Sequence, residues 1–277
     1  MMKPRANAHT HTIFCDGKDT AEDMVKAAIA AGFHTIGFSG HSYLSFDDTY
    51  PMSRENTLLY RQEIHRLQQK YAGQIHILLG LEWDWFSKDI DRKDYDYVIG
   101  SVHHLYSEET KKYYTLDYLP EEFAACLKEA FHGDAFAMAK AYYDFVKKTA
   151  AIRKPDIIGH LDLIRKLNTN GRFFDERDPR YLELAKDAAL CCIQQGCIIE
   201  INTGGMFKKY RDTPYPDEPI LRFIAEHHGK ITINSDSHST DSIDYYFEES
   251  VELAKRTGFT EFWELSPQGF VPVSMTE

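Results

Sequence analysis

His9 and His11, spaced by one residue near the start of the chain, are matched near its end by Asp236 and His238 at the same spacing. Imidazole and carboxylate ligands suit zinc, iron, manganese or cobalt better than calcium or magnesium. Each pair follows a strand-like run, Ala6-Asn7-Ala8 before the first and Lys230-Ile-Thr-Ile-Asn234 before the second. Side chains alternate along a strand, so residues two apart share a face and could share one ion. Four further candidates each close an apolar run: His41 after Thr35-Ile-Gly-Phe38, Glu82 after Ile75-His-Ile-Leu-Leu79, His103 after Val98-Ile-Gly-Ser-Val102, and His160 after Asp156-Ile-Ile-Gly159. One histidine at a strand end is ordinarily a hydrogen-bonded structural residue. The joint placement argues for a polynuclear metal site. His34, His65, His76, His132, His227 and His228 fall at strand starts or on helices, and His104 faces away from its neighbour His103, so none of these is included.

Such a set needs a scaffold that brings successive strand ends to one place. Residues 20–32 read as a helix, with Thr20 as N-cap, Glu22 and Asp23 in the first turn and Gly32 as terminator. Strands are predicted near 34–38, 75–81, 96–102, 156–160, 197–202 and 231–235. Helices are predicted near 53–71, 120–150, 178–195, 217–228 and 241–257, and a candidate last strand lies near 261–265. Repeated β/α units over about 250 residues are the pattern of a TIM-like barrel, which carries its chemistry at the C-terminal ends of the strands. A doubly wound open sheet would instead gather function at one switch point. The expected fold is an α/β, TIM-like barrel in a single domain over 1–277, since no linker, internal repeat or low-complexity segment interrupts the chain.

The 277 residues carry a formal net charge of -11, with lysines and arginines dispersed and no basic stripe, which disfavours a nucleic-acid partner. Bound divalent ions would locally offset part of that charge, so a small anionic substrate is compatible with it. Cys15, Cys126, Cys191, Cys192 and Cys197 include no Cys-x-x-Cys pair and read as free thiols, mostly small core residues. No run approaches ~18 apolar residues, and Met1-Met2-Lys3-Pro4-Arg5 lacks the apolar segment of a signal peptide. The expectation is a cytoplasmic protein with no membrane partner.

In order along the chain, His9-Thr-His11, Phe14-Cys-Asp-Gly17, Ser39-Gly-His-Ser42, Gly80-Leu-Glu82, Gly100-Ser-Val-His103, Gly159-His-Leu-Asp162, Glu200-Ile-Asn-Thr203 and Ser235-Asp-Ser-His238 resemble the polymerase-and-histidinol-phosphatase (PHP) family. The Cys-Asp-Gly and Glu-Ile-Asn-Thr segments, the latter followed by Lys208, Lys209 and Tyr215-Pro216, resemble its histidinol-phosphatase branch. The resemblance implies a distorted (β/α)7 barrel holding two to three divalent ions at its open face. Carried over residue by residue, it gives His9, His11, Glu82 and Asp236 to a first ion, Asp16, His41 and His238 to a second, and Glu82, His103 and His160 to a third. Asp16, Glu82 and Asp236 are then the candidate catalytic carboxylates. Thiolate ligands are absent from this set, so it makes no sharp selection among zinc, iron and manganese. The implied activity is hydrolysis of L-histidinol phosphate by attack of a metal-held hydroxide on phosphorus, which requires no protein nucleophile.

A phosphate also needs protein donors, and Arg165, Lys208, Lys209 and Arg211 follow strands that end at the presumed active face; Arg165 and Arg211 are the preferred pair. Asn202 is a further substrate-side candidate, either hydrogen-bonding an oxygen at the metals or capping the loop that follows it. Trp83-Asp-Trp-Phe86 could wall a pocket or pack a loop, and Leu44–Pro51 could be a lid or a plain connection. An amidohydrolase would also begin with His-x-His, but that class usually bridges its metals with a carbamylated lysine at a strand end, where this chain offers Glu82. A PHP-type nuclease conflicts with the acidic charge. Asp89-Ile-Asp91 lacks the apolar strand that an aspartyl-phosphate phosphatase would place before it.

Overall fold

The computed structural model describes residues 2–275. Among these, parallel strands β1 (Ala6–Asn7), β2 (Thr35–Phe38), β3 (His76–Asp84) and β4 (Tyr97–Ser101) pair in sequence. After an excursion through an antiparallel hairpin, β5 (His104–Ser107) and β6 (Lys112–Thr115), the sheet resumes with β7 (Ile157–Ile158), β8 (Ile198–Asn202) and β9 (Lys230–Asn234). The first and last strands meet beyond their own ends, where Thr10 pairs with Ser237. There His11 N donates to Ser237 O at 2.8 Å and Ser237 N to His9 O at 3.0 Å. The nearly closed barrel is thus fastened between the pairs His9/His11 and Asp236/His238.

Period-two alternation divides each strand between two environments. Ile36 and Phe38, Ile77, Leu79 and Leu81, Ile199 and Ile201, and Ile231 and Ile233 face outward into the main core. That core is completed by the helices α1 (Ala21–Ala30), α2 (Arg54–Lys70), α4 (Ala135–Lys148), α5 (Pro179–Gln194), α7 (Glu218–Glu226) and α8 (Phe247–Thr257), with a short α6 (Gly204–Phe207) ahead of α7. Helix α2 shows why these elements are helical, since Tyr60, Ile64 and Leu67 recur at the spacing of one buried face. The inward residues form a smaller cluster of Ala6, Ala8, Tyr97, Ile99, Ile157 and Ile198 low in the barrel. Tyr97 spans this interior and donates to Phe38 O at 3.2 Å. A Cβ on Gly80 would lie 2.3 Å from the Tyr97 ring, so that neighbour has to be glycine. Higher up, the same inward parity delivers Glu82, Asp84, Glu200, Asn202 and Asn234, all buried.

Two expectations needed correction. The helix near 120–150 is broken into a short α3 (Pro120–Ala125) and α4, because His132 (φ 51) and Gly133 (φ 84) take left-handed conformations that a helix excludes. Asp134 then caps the new start, accepting from Phe136 N and Ala137 N at 3.0 Å each. The candidate last strand, β10 (Glu261–Ser266), does not extend the barrel; it pairs antiparallel with β11 (Gly269–Ser274). Leu265 of β10 packs into the lower cluster and plugs the barrel floor. No helix among the described residues is long and apolar enough to cross a membrane.

Candidate metal centre

Glu82, two residues before the end of β3, stands at the middle of the site and is 1% exposed. Its Oε2 lies 2.7 Å from His41 Nδ1, 3.3 Å from His9 Nε2 and 3.6 Å from His11 Nε2. Its Oε1 lies 2.9 Å from His160 Nε2 and 3.3 Å from His103 Nε2. One carboxylate thus joins imidazoles from both sides of the barrel mouth. Asp236 Oδ1 adds contacts of 3.2 Å to His11 Nε2 and 3.6 Å to His9 Nε2. Asp16, the exposed member, reaches His238 Nε2 at 3.0 Å and His41 Nε2 at 3.6 Å.

The structure brings all nine of the expected ligand residues together. Their donor atoms fall into overlapping sets, each within 4.8 Å: His11, Asp16, His41 and His238; His9, His11 and Asp236; His9, Glu82 and His160; His41, Glu82 and His103. These sets share the nine residues with the carried-over grouping but divide them differently: His11 also stands with Asp16, His41 and His238, His9 joins Glu82 and His160, and His41 joins Glu82 and His103. The donors fit divalent ions on an observation independent of any relative. His9 Nε2, His11 Nε2 and Glu82 Oε2 are buried and face one another, and no well-directed hydrogen bond satisfies them. Leaving such atoms unsatisfied costs about 1–3 kcal/mol each, a penalty that ligation removes.

Two carboxylates that sequence reasoning missed hold these ligands in place. Glu200, on β8 and wholly buried, lies 2.7 Å from His9 Nδ1, and its second oxygen accepts from His160 N at 2.9 Å. Asn234 and Asn202 donate to it at 2.9 Å each. Asp84 Oδ2 lies 3.1 Å from His103 Nδ1 and also accepts from His103 N. Carboxylates on the far nitrogens of ligating imidazoles fix ring orientation and tautomer. His104 does face away from the cluster, yet it is buried, with Nε2 3.1 Å from Asp47 and Nδ1 3.3 Å from Tyr50 Oη.

Burial disfavours charge throughout, but the carboxylates of Glu200, Asp236 and Glu82 outweigh it and hold His9 well above its ordinary pKa. His103 is likewise raised, burial being overcome by Glu82 and Asp84. His11 is drawn down to about 3, by burial first and then by His238 and His41. Burial pushes the carboxyls of Glu82, Asp236 and Asp16 upward, yet neighbouring imidazoles hold all of them well below the usual range. The cluster therefore attracts positive charge, and a metal would enter by displacing protons.

A cavity of about 370 Å³ opens beside the cluster, bounded by Asp16, His41, His103, His160, Asp236 and His238 on the ligand side. Tyr50, Tyr118, Tyr210 and Tyr215 wall it, and Lys166 and Lys208 supply its cations. The expectation for Arg165 and Arg211 is corrected here, because neither lines this cavity. Arg165 is 1% exposed, with Nε 2.7 Å from Asp162 and Nη1 donating to Thr213 Oγ1 at 3.1 Å. Arg211 grips Glu176 with two hydrogen bonds, of 2.9 and 2.6 Å, and donates to Arg165 O. Their guanidiniums are consumed inside the protein. Lys166, the residue after Arg165, faces the cavity instead. Lys208 is the second cation, its Nζ 3.3 Å from the His238 ring nitrogens; Lys209 is not among the cavity residues.

Asn202 is wholly buried and fully engaged: Nδ2 donates to Glu200 and, at 3.3 Å, to Asp236, while Oδ1 accepts from Gly204 N. It braces the ligands and caps the loop, so it has no group left for substrate. Trp83 and Trp85 stack with the Arg153 guanidinium and pack away from the cavity. From the segment Leu44–Pro51, Thr49 and Tyr50 do line it.

The PHP domain profile matches residues 7–204 of this chain. The chain belongs to the PHP family. A protein of Deinococcus radiodurans named "Probable histidinol-phosphatase" is 29% identical over 91% of this chain and 93% of its own length. The histidinol-phosphatase of Bacillus subtilis is 26% identical over 90% and 98%. A solved structure from Listeria monocytogenes superposes with a TM-score of 0.76 at 24% identity, covering 88% of this chain and 99% of that one. The Lactococcus lactis histidinol phosphate phosphatase, solved with zinc, L-histidinol and phosphate, gives 0.66 at 21%, covering 97% and 99%. The fold of this PHP chain is the one these structures share.

Proposed function

We propose that this PHP protein is a cytoplasmic, metal-dependent phosphomonoesterase that hydrolyses L-histidinol phosphate to L-histidinol and phosphate, a step of histidine biosynthesis. The observation that carries the reading is the Glu82-centred cluster of imidazoles and carboxylates opening onto a cavity with two lysines. His9, His11, Asp16, His41, Glu82, His103, His160, Asp236 and His238 would hold two to three divalent ions. Zinc is the first to test, with iron and manganese next. When bound, such ions supply Lewis-acid charge and acidify water for attack on phosphorus. Lys166 and Lys208 hold the phosphoryl oxygens, a role open to ammonium groups as point charges. Glu200 and Asp84 keep His9 and His103 in the tautomer that turns a lone pair toward the cluster. The tyrosine walls receive the leaving group and restrict water around it. Relatives of the same name that align along nearly their whole length support the choice of substrate.

The test is phosphate release from L-histidinol phosphate beside a panel of sugar, nucleoside and glycerol phosphates. Selective turnover that chelation removes supports the reading. Faster turnover of another phosphoester assigns the site to that substrate and sinks the histidinol phosphate reading.

A further inference from the structure

The catalytic cavity contains one ion pair that the metal cluster does not use. Of its lining carboxylates Asp16, Asp117 and Asp236, only Asp117 stands outside the metal-ligand sets. Asp117 Oδ2 accepts from Lys166 Nζ at 2.9 Å, with 16% and 13% of the two side chains exposed. The two residues arrive from unrelated segments. Asp117 follows β6, where Leu116 N donates to His103 O at 2.9 Å and fastens the chain beside His103. Lys166 follows the turn Leu163–Arg165, which the buried Arg165 anchors to Asp162. At 2.9 Å each is the other's largely buried counter-ion, which favours the charged form of both.

A fixed pair of opposite charges is complementary to a ligand that carries the reverse pair at close spacing. The phosphoryl group is the anion that meets Lys166. The matching cation must then sit within a few bonds of the ester oxygen, because Asp117 and Lys166 are in direct contact. An ammonium on the carbon next to the ester carbon meets that condition, whereas a distant amine does not. Tyr50, Tyr118 and Leu119 form an aromatic and apolar stretch of the remaining wall, with no charged group among them to select a particular side chain.

We infer that the Asp117–Lys166 pair selects O-phosphorylated 1,2-amino alcohols, with Asp117 accepting from the substrate ammonium while Lys166 binds the phosphoryl group. This rests on the phosphomonoesterase reading and extends it: the feature read most strictly is the vicinal amine, and the imidazole is secondary. The experiment uses matched pairs with and without the amine, namely L-histidinol phosphate against 3-(imidazol-4-yl)propyl phosphate, and 2-aminobutyl phosphate against butyl phosphate. The metal-loaded wild type is expected to prefer the amine in both pairs by about 30-fold in kcat/KM, the effect of one charge-assisted hydrogen bond. The isosteric Asp117→Asn should cut the preference for the amine member of each pair to about threefold or less, on top of any loss that both members share through Lys166. Lys166→Gln should lower all four substrates alike.

Equal losses for both members of each pair in Asp117→Asn would overturn the inference, since Asp117 would then act only by holding Lys166. A wild type indifferent to the amine would do the same. If 2-aminobutyl phosphate is preferred while L-histidinol phosphate is not turned over, the substrate named above fails and the inference stands. Should nothing be turned over, calorimetric binding of the two butyl phosphates decides: equal affinities overturn it, and tighter, Asp117-dependent binding of the amine supports it.

Discussion

Replacing Glu200 by Gln removes one oxygen from a group that receives four contacts, from His9 Nδ1, Asn234, Asn202 and His160 N. Whichever way the amide turns, its NH2 faces two of those partners. If it faces His160 N and Asn202, two buried donors lose their acceptor, at about 1–3 kcal/mol each. If it faces His9, the imidazole can accept only by moving its proton to Nε2, the atom that points at Glu82 and Asp236. That tautomer has no lone pair to offer a metal. The expected result is a loss of about 2–6 kcal/mol in urea-denaturation stability of the metal-free protein. A fall of about 10–100-fold in zinc affinity by calorimetry should accompany it. The pattern matters more than the size, because the substitution leaves all nine candidate ligands in place. Stability within about 1 kcal/mol of wild type, together with unchanged metal affinity, would refute the claim that Glu200 orients His9.

Arg165→Ala should leave the buried Asp162 without its cation, while Glu176 and Asp217 keep Arg211 and Arg177, and destabilise the protein by about 3–5 kcal/mol, seen as a lower denaturation midpoint, instead of the clean rise in KM that a phosphate contact would give. Lys208→Gln should raise KM for substrate and weaken inhibition by inorganic phosphate; unchanged inhibition would remove Lys208 from the phosphate site. His104 is raised to about 9, burial opposing and Asp47 and Asp84 prevailing. Its folded pKa exceeds the unfolded value near 6.5, so its contribution to stability is complete below about pH 6.5 and is lost as pH rises through about 9. Denaturation of the metal-free protein across that window should show the decline, and His104→Gln should flatten it.

Eight of the nine candidate ligands were legible because they lie at or just beyond strand ends, which a barrel collects at one mouth; Asp16 sits in the loop after His11 and came only from the family resemblance. Glu200 does carry a signal in the sequence: a carboxylate in the middle of Cys197-Ile-Ile-Glu-Ile, where a buried charge must have a partner. Asp84 stands two residues after Glu82 on the same strand face, so its parity was also readable. Arg165 and Arg211 could not be separated from Lys166 and Lys208 by sequence. What consumes the arginines is Glu176 and Asp162, and that pairing exists only after the loops beyond β7 and β8 have packed. The break before α4 was foreshadowed by Gly133-Asp134, a stop followed by an N-cap inside an otherwise helical run. The β10–β11 hairpin was half visible: the strand was expected, but parity alone could not say that it plugs the floor and leaves the barrel at seven strands.

The most direct measurement is bound metal and phosphate release from L-histidinol phosphate in the same preparation, for wild type and for Glu82→Ala. Glu82 touches imidazoles from both sides of the barrel mouth, so its removal should lose metal and turnover together, while the wild type holds two to three ions and loses activity on chelation. Full turnover by metal-free wild type, or activity that survives Glu82→Ala, would contradict the assignment of this cluster as the catalytic centre.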